Sequence, residues 1–156
     1  MSLLKYLLCV GACFPLCVLW AQAPLEKTTF QVACPWDARL DSRADVAIVY
    51  GTHDGAMTFE QRVNSWREQG YVTHFMTGIA WGGFGDYFDG SWDGKDHADE
   101  GQKRVDGQVL WHHPGVPYIM PTDSFLQYIQ QKHVKRAIDA GIDAIYLEEP
   151  EFFMVA

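Results

Sequence analysis

The strongest constraint on this chain lies between Val46 and Ile79, where an apolar strand, a capped helix, a glycine and a second strand follow in direct succession. Val46-Ala47-Ile48-Val49-Tyr50 is short and almost continuously apolar, the pattern of a strand covered on both faces in a parallel sheet. Thr58-Phe59-Glu60-Gln61 has the form of a capping box, and Phe59, Val63 and Trp66 share one side of the helix it opens. Gly70 closes that helix after Gln69, and Tyr71 to Ile79 reads as the next strand. Strand, crossover helix and strand make a βαβ unit, which winds right-handedly into a parallel sheet.

Further along, Thr122 to Ala140 carries the clearest helical pattern. Ser124 to Gln127 offers a capping box, and Phe125, Ile129, Val134, Ala137 and Ile138 run along one side. Gly141 ends this helix, and Ile142 to Glu148 is the third strand. Between the two units, Ala80 to Pro117 lacks helical periodicity and holds eight glycines. A loop this long in a compact domain calls for a functional reason. The lead-in segment, residues 24–45, reads as polar and irregular, with Cys34-Pro35-Trp36 as a local apolar anchor. The expected architecture is α/β, with about three parallel strands, two helices and one long loop in residues 46–156.

Residues 1–23 have the form of a secretory signal. Lys5 supplies the positive start, Tyr6 to Trp20 is nearly all apolar, and Ala21-Gln22-Ala23 is a small-residue cleavage site. The apolar run falls short of the ~20 residues that span a bilayer, and Pro15 interrupts it. A cleaved leader and a secreted or periplasmic location are expected, with an uncleaved anchor as the alternative. Cys9, Cys13 and Cys17 leave with the leader, so the mature chain keeps only Cys34, which fits a buried small side chain. The mature chain holds 20 acidic residues against 11 Lys and Arg, a net charge of −9. That balance argues against nucleic acid or an anionic membrane surface as a partner, since both need a basic patch.

In parallel α/β folds, ligands bind at the carboxyl ends of the strands. Three segments qualify: His53-Asp54 after the first strand, Trp81 and the long loop after the second, and Glu148-Glu149-Pro150-Glu151 after the third. Along the third strand Ile145 and Leu147 share one face, while Ala144, Tyr146 and Glu148 share the other. With the aliphatic face toward the helices, Glu148 points into a barrel or cleft. Pro150 is expected to hold Glu149 extended. Three carboxylates within four residues repel one another, and a cation, a proton or a polar ligand relieves that repulsion. A solvated acidic loop is the alternative.

The long loop interleaves Trp81, Phe84, Tyr87, Phe88, Trp92 and Trp111 with Asp86, Asp89, Asp93, Asp96 and Asp99. Flat aromatic faces and carboxylate acceptors suit sugar rings, with Trp81, Tyr87 and Trp92 as candidate platforms beside His53, Asp54 and Glu151. The same aromatics could equally form a local core that pins the loop. The aspartate spacing does not match a calcium loop, and no H-E-x-x-H appears, so neither a metal nor another cofactor is expected. Convergence of His53, His74 and a glutamate on a metal stays open as an alternative. His133, in mid-helix, is expected to be structural.

The segment from Gly141 to Phe152 resembles the strand-end segment of glycoside-hydrolase-like (β/α)₈ barrels. Retaining members carry Asn-Glu-Pro there, with the glutamate as general acid/base. Glu149-Pro150 matches that motif, with Glu148 in place of the asparagine. The resemblance implies the N-terminal part of a TIM barrel that continues beyond Ala156, a carbohydrate substrate, and Glu148 or Glu149 as one of two catalytic carboxyl groups. A non-catalytic carbohydrate-binding barrel and a metal-dependent hydrolase or isomerase are the other readings.

Overall fold

The computed structural model describes residues 27–149, so the leader, Pro150 and Glu151 lie outside the described residues. Along the chain, β1 (Thr29–Val32) and β2 (Val46–Tyr50) precede α1 (Phe59–Arg67) and β3 (Val72–Gly78). A short α2 (Gly85–Phe88) follows, then a hairpin of β4 (Trp111–His113) and β5 (Val116–Pro117). The chain continues through α3 (Asp123–Tyr128), a π-helical turn (Ile129–Val134) and α4 (Lys135–Asp139), and reaches β6 (Ala144–Glu148). The main sheet is parallel throughout, in the order β1-β2-β3-β6.

The capping box opens α1 as its sequence requires. Thr58 Oγ1 accepts the Gln61 N–H at 3.3 Å, and Gln61 Oε1 accepts the Thr58 N–H at 2.9 Å. The helix buries Phe59, Val63 and Trp66 against Ala47, Val49, Phe75 and Ala137, with Ile145 packed alongside. Each such side chain contributes on the order of 2 kcal/mol through the apolar surface it removes from water. Because α1 and α4 feed the same cluster, both crossovers lie on one face of the sheet. The register sets Ile48, His74 and Ala144 in one row of the opposite face, and Tyr50, Met76 and Tyr146 in the next.

Three sequence expectations need correction. The lead-in segment supplies a fourth parallel strand, β1: Thr29 to Val32 is too short for its alternation to stand out, yet Phe30 packs edge-on against Trp66 and Tyr71. The anchor at Cys34 and Trp36 does hold the segment down, since Trp66 Nε1 donates to the Cys34 carbonyl at 3.0 Å and the Trp36 N–H donates to Ser65 Oγ at 2.9 Å. The second helix is not one continuous α-helix, because the wide π turn breaks its 3.6-residue register. Ile138 consequently lies exposed instead of on the buried stripe. The cap of that helix is Thr122, whose Oγ1 accepts the Phe125 N–H at 3.2 Å, while Ser124 Oγ donates to Glu100 Oε1 at 2.7 Å.

The stretch from Ala80 to Pro117 is an ordered layer with its own core. Phe84, Tyr87, Ile119, Phe125, Tyr128 and Ile129 form a second buried cluster. Isolated bridges tie Trp81 to Tyr118, Gly101 to Ile119 and Lys103 to Val109. Among the described residues no helix is long and apolar enough to cross a membrane.

Candidate functional site

A cavity of about 230 Å³ opens where the chain leaves β2 and β3. Its first wall is the loop after β2, which turns sharply at Gly51 (φ +66°), a left-handed conformation that suits glycine. Two arginines fix the carbonyls of this loop. Arg62 donates to Tyr50 at 3.2 Å and to Gly51 and His53 at 2.8 Å each, and also reaches the Ala33 carbonyl at 2.8 Å. Arg136 donates to the Thr52 carbonyl at 2.8 Å. Four consecutive carbonyls are therefore held by side chains from α1 and α4. His53 and Asp54, both expected at the site, line the cavity.

Asp54 is committed to structure. Its Oδ1 accepts from Arg136 at 2.7 Å and from the Phe59 N–H at 2.9 Å, which hold its carboxyl below the usual aspartate range. Glu60 pairs with the same guanidinium at 2.6 Å and 2.9 Å, and its pKa falls to about 2. Arg136 rises in turn, mainly through its hydrogen bonds to Glu60. Partial burial lowers His53, and the Arg62 charge lowers it further.

The opposite wall comes from the π turn, which brings Lys132 and His133 to the cavity together with Arg136 one turn later. His133 is 6% exposed, and its Nδ1 lies 2.6 Å from Thr52 Oγ1. Its Nε2 is buried without a hydrogen-bond partner. Burial drives the imidazole pKa down to about 4, with Lys132 adding to the effect, so the ring is neutral at physiological pH. Lys132 pairs with Asp86, which also accepts from Tyr128 Oη at 2.8 Å. His133 was the residue the sequence concealed. Its mid-helix position suggests structure, and only the widened turn gives it a place in the cavity wall.

Glu148 lies on the face of β6 that carries Ala144 and Tyr146, as strand parity indicates, and pairs in register with Gly78. The Glu148 carbonyl accepts the Ile79 N–H at 2.9 Å, which carries the β3–β6 ladder to the end of β6. Glu149 is not extended. It turns at φ +56°, because the ladder ends with Glu148, and its Oε2 comes within 3.6 Å of where a β-carbon on Gly78 would stand. Such a β-carbon would also meet the Trp81 carbonyl at 2.5 Å, so only glycine fits at 78. Both glutamates act on Tyr50, which lines the cavity: burial raises its phenol pKa, and the charges of Glu149 and then Glu148 raise it further. The strand-end carboxylates thus reach the cavity only through their charge on Tyr50. Glu151 lies outside the described residues.

The loop aromatics Trp81, Tyr87 and Trp92 divide between half-buried and fully buried positions. Trp81 is half-buried and stacks on His112 at 3.9 Å with 4° between the planes. Tyr87 is fully buried, its ring against His97 at 4.0 Å and its hydroxyl donating to Glu100 Oε2 at 2.6 Å, so it offers no face to a ligand. Trp92 packs edge-on to Tyr128 at 5.2 Å. His74 stands on the open sheet face, with Nδ1 3.1 Å from Tyr146 Oη. Among the described residues no group of three or more His, Cys, Asp and Glu side chains could hold a metal ion, so His53, His74 and a glutamate do not converge.

The fold and this arrangement define a parallel α/β protein with a polar cavity at the carboxyl ends of its strands. No protein-family model, curated protein or solved structure matches the chain.

Proposed function

We propose that this chain supplies the first strands of a (β/α)₈ barrel that acts on carbohydrate, with a glutamate at the end of β6 as general acid/base of a glycoside hydrolase. The observation that carries the reading is the winding of the sheet. Strand order follows chain order, and both crossover helices cover the same face. A doubly wound sheet reverses its strand order and places helices on both faces, whereas a barrel adds each strand on the same side and keeps its helices outside. On this reading the face carrying Tyr50, His74, Tyr146 and Glu148 is the barrel interior, and its carboxyl end is the substrate side.

Glycoside hydrolysis needs two carboxyl groups, one of them able to give up a proton. Asp54 cannot be the proton donor, because Arg136 and the Phe59 N–H hold it ionised. Glu148, the last residue of β6, and Glu149 after it act electrostatically on Tyr50 at the cavity, and they are the acid/base candidates. In the full-length protein assayed on a panel of oligosaccharides, Glu148→Gln or Glu149→Gln should lower kcat about 10²–10⁴-fold, the usual worth of a general acid/base. Wild-type activity in both variants would overturn the assignment. Sugar binding with no turnover by the parent protein would replace it with a binding barrel.

A further inference from the structure

We propose that the cavity between the β2 loop and the π turn is a subsite for one uncharged, hydroxyl-bearing ring, a neutral monosaccharide unit, with the His133 imidazole recognising one of its hydroxyls. This deepens the carbohydrate reading above and rests on it. The first argument is charge. Lys132 is answered by Asp86, and Arg136 by Glu60 and Asp54. Arg62, behind the loop, directs its Nη donors at backbone carbonyls. A ligand carboxylate would have to displace an existing ion pair, and a ligand ammonium would face Lys132 and Arg136 together. A neutral ligand disturbs neither.

The second argument is hydrogen bonding. The His133 ring uses Nδ1 toward Thr52 Oγ1 and leaves Nε2 buried without a partner. An unanswered polar atom in the interior is costly, and a ligand that answers it recovers that cost. The ring is neutral, so Nε2 is an acceptor in one tautomer and a donor in the other. A hydroxyl satisfies either, which a carbonyl or an ether oxygen does not. A site built around such a group also rejects analogues that lack the hydroxyl. The third argument is size. At about 230 Å³ the cavity is smaller than the ~300–1,000 Å³ of pockets for larger organic ligands. Gly82 and Gly83 let backbone line one side, and Phe84 gives an apolar wall for the C–H face of a ring.

The test is a titration of the full-length protein, labelled with ¹⁵N-histidine, with glucose, galactose, mannose and xylose, and in parallel with glucuronate and galacturonate. The expected result is a saturable shift of the His133 imidazole nitrogens by at least one neutral sugar in the millimolar range, and no saturation by either uronate. His133→Phe should weaken that binding at least tenfold, while His133→Gln, which keeps a hydrogen-bonding side chain, should recover part of it. Should His133→Phe fail to fold, the wild-type titration and His133→Gln decide. No shift with any neutral sugar, tighter binding of a uronate, or unchanged affinity in His133→Phe would overturn the proposal. Hydrolysis by the Glu148 and Glu149 variants is a separate readout: a protein that binds a neutral sugar and never cleaves one keeps this site and loses the catalytic assignment.

Discussion

A guanidinium inside a protein usually has a carboxylate against it, because a buried charge without close partners is expensive. Arg62 is 3% exposed, and its Nη donors instead meet the carbonyls of Ala33, Tyr50, Gly51 and His53. Asp54 and Glu60 stabilise its charge from a distance. One side chain thus joins the lead-in segment, the end of β2 and the cavity loop. Arg62→Met should leave those carbonyls unanswered and cost roughly 3 kcal/mol or more in urea unfolding, since each buried orphan costs about 1–3 kcal/mol. Arg62→Lys should fall between, because a single ammonium cannot span the same set of carbonyls. A loss below about 1 kcal/mol in Arg62→Met would mean that the loop holds its shape without the clamp.

Among the elements, the π turn decides most. One extra residue per turn swings the following side chains by about 100°, and here that swing accompanies a helix that serves two cores at once. Phe125 and Tyr128 before the turn enter the loop core, Ala137 after it enters the sheet core, and Lys132 and His133 within it line the cavity. Deleting the exposed Gln131 should restore an ordinary α turn. The expected outcome is a folded protein by circular dichroism that has lost the Thr52–His133 contact and bears a His133 side chain newly reactive to diethyl pyrocarbonate. Global unfolding of the deletion variant would show instead that the turn is needed for packing. None of this was legible in the sequence, because periodicity arguments assume one constant turn. What was legible is local chemistry. The α1 capping box, the strand–helix–strand unit and the parity of Glu148 each depend on neighbours a few residues away. The placement of Tyr87 and Trp92 depends on residues ten to forty positions distant, and an aromatic-rich acidic run suits an open sugar platform and a closed core equally well.

For the molecule as a whole, two separate clusters of buried side chains imply two responses to pH. The loop core is bordered by His97, which is 5% exposed, with Nδ1 3.0 Å from Glu100 Oε1 and Nε2 3.2 Å from Asp93 Oδ1. Burial opposes its protonation, but the hydrogen bonds to Glu100 and Asp93 outweigh that and raise its pKa above the ordinary 6.5. Burial likewise opposes ionisation of Glu100, yet Thr122, Tyr87, Ser124 and His97 bring it from 4.5 down to about 2. The signs follow from linkage. The His97 contribution is complete below pH 6.5 and is lost as pH rises through the raised value. The Glu100 contribution is complete above pH 4.5 and is lost as pH falls toward 2. Hydrogen exchange of the Ala80–Pro117 amides should therefore show greatest protection between about pH 4.5 and 6.5, after correction for the intrinsic pH dependence of exchange. His97→Gln should flatten the alkaline side, and an unaltered profile would remove His97 from this role. The sheet core, built from aliphatic and aromatic side chains, should not follow that profile. The arginine clamp on Gly51, Thr52 and His53 has one further consequence, in evolutionary terms. A segment whose every carbonyl is matched to a fixed donor can exchange side chains freely but cannot absorb an inserted or deleted residue. Descendants of this chain should therefore vary in length at the exposed turns near Gly94 and Gly107 and keep the count between Tyr50 and Phe59 unchanged, so that ligand preference diverges by substitution on a loop of constant length.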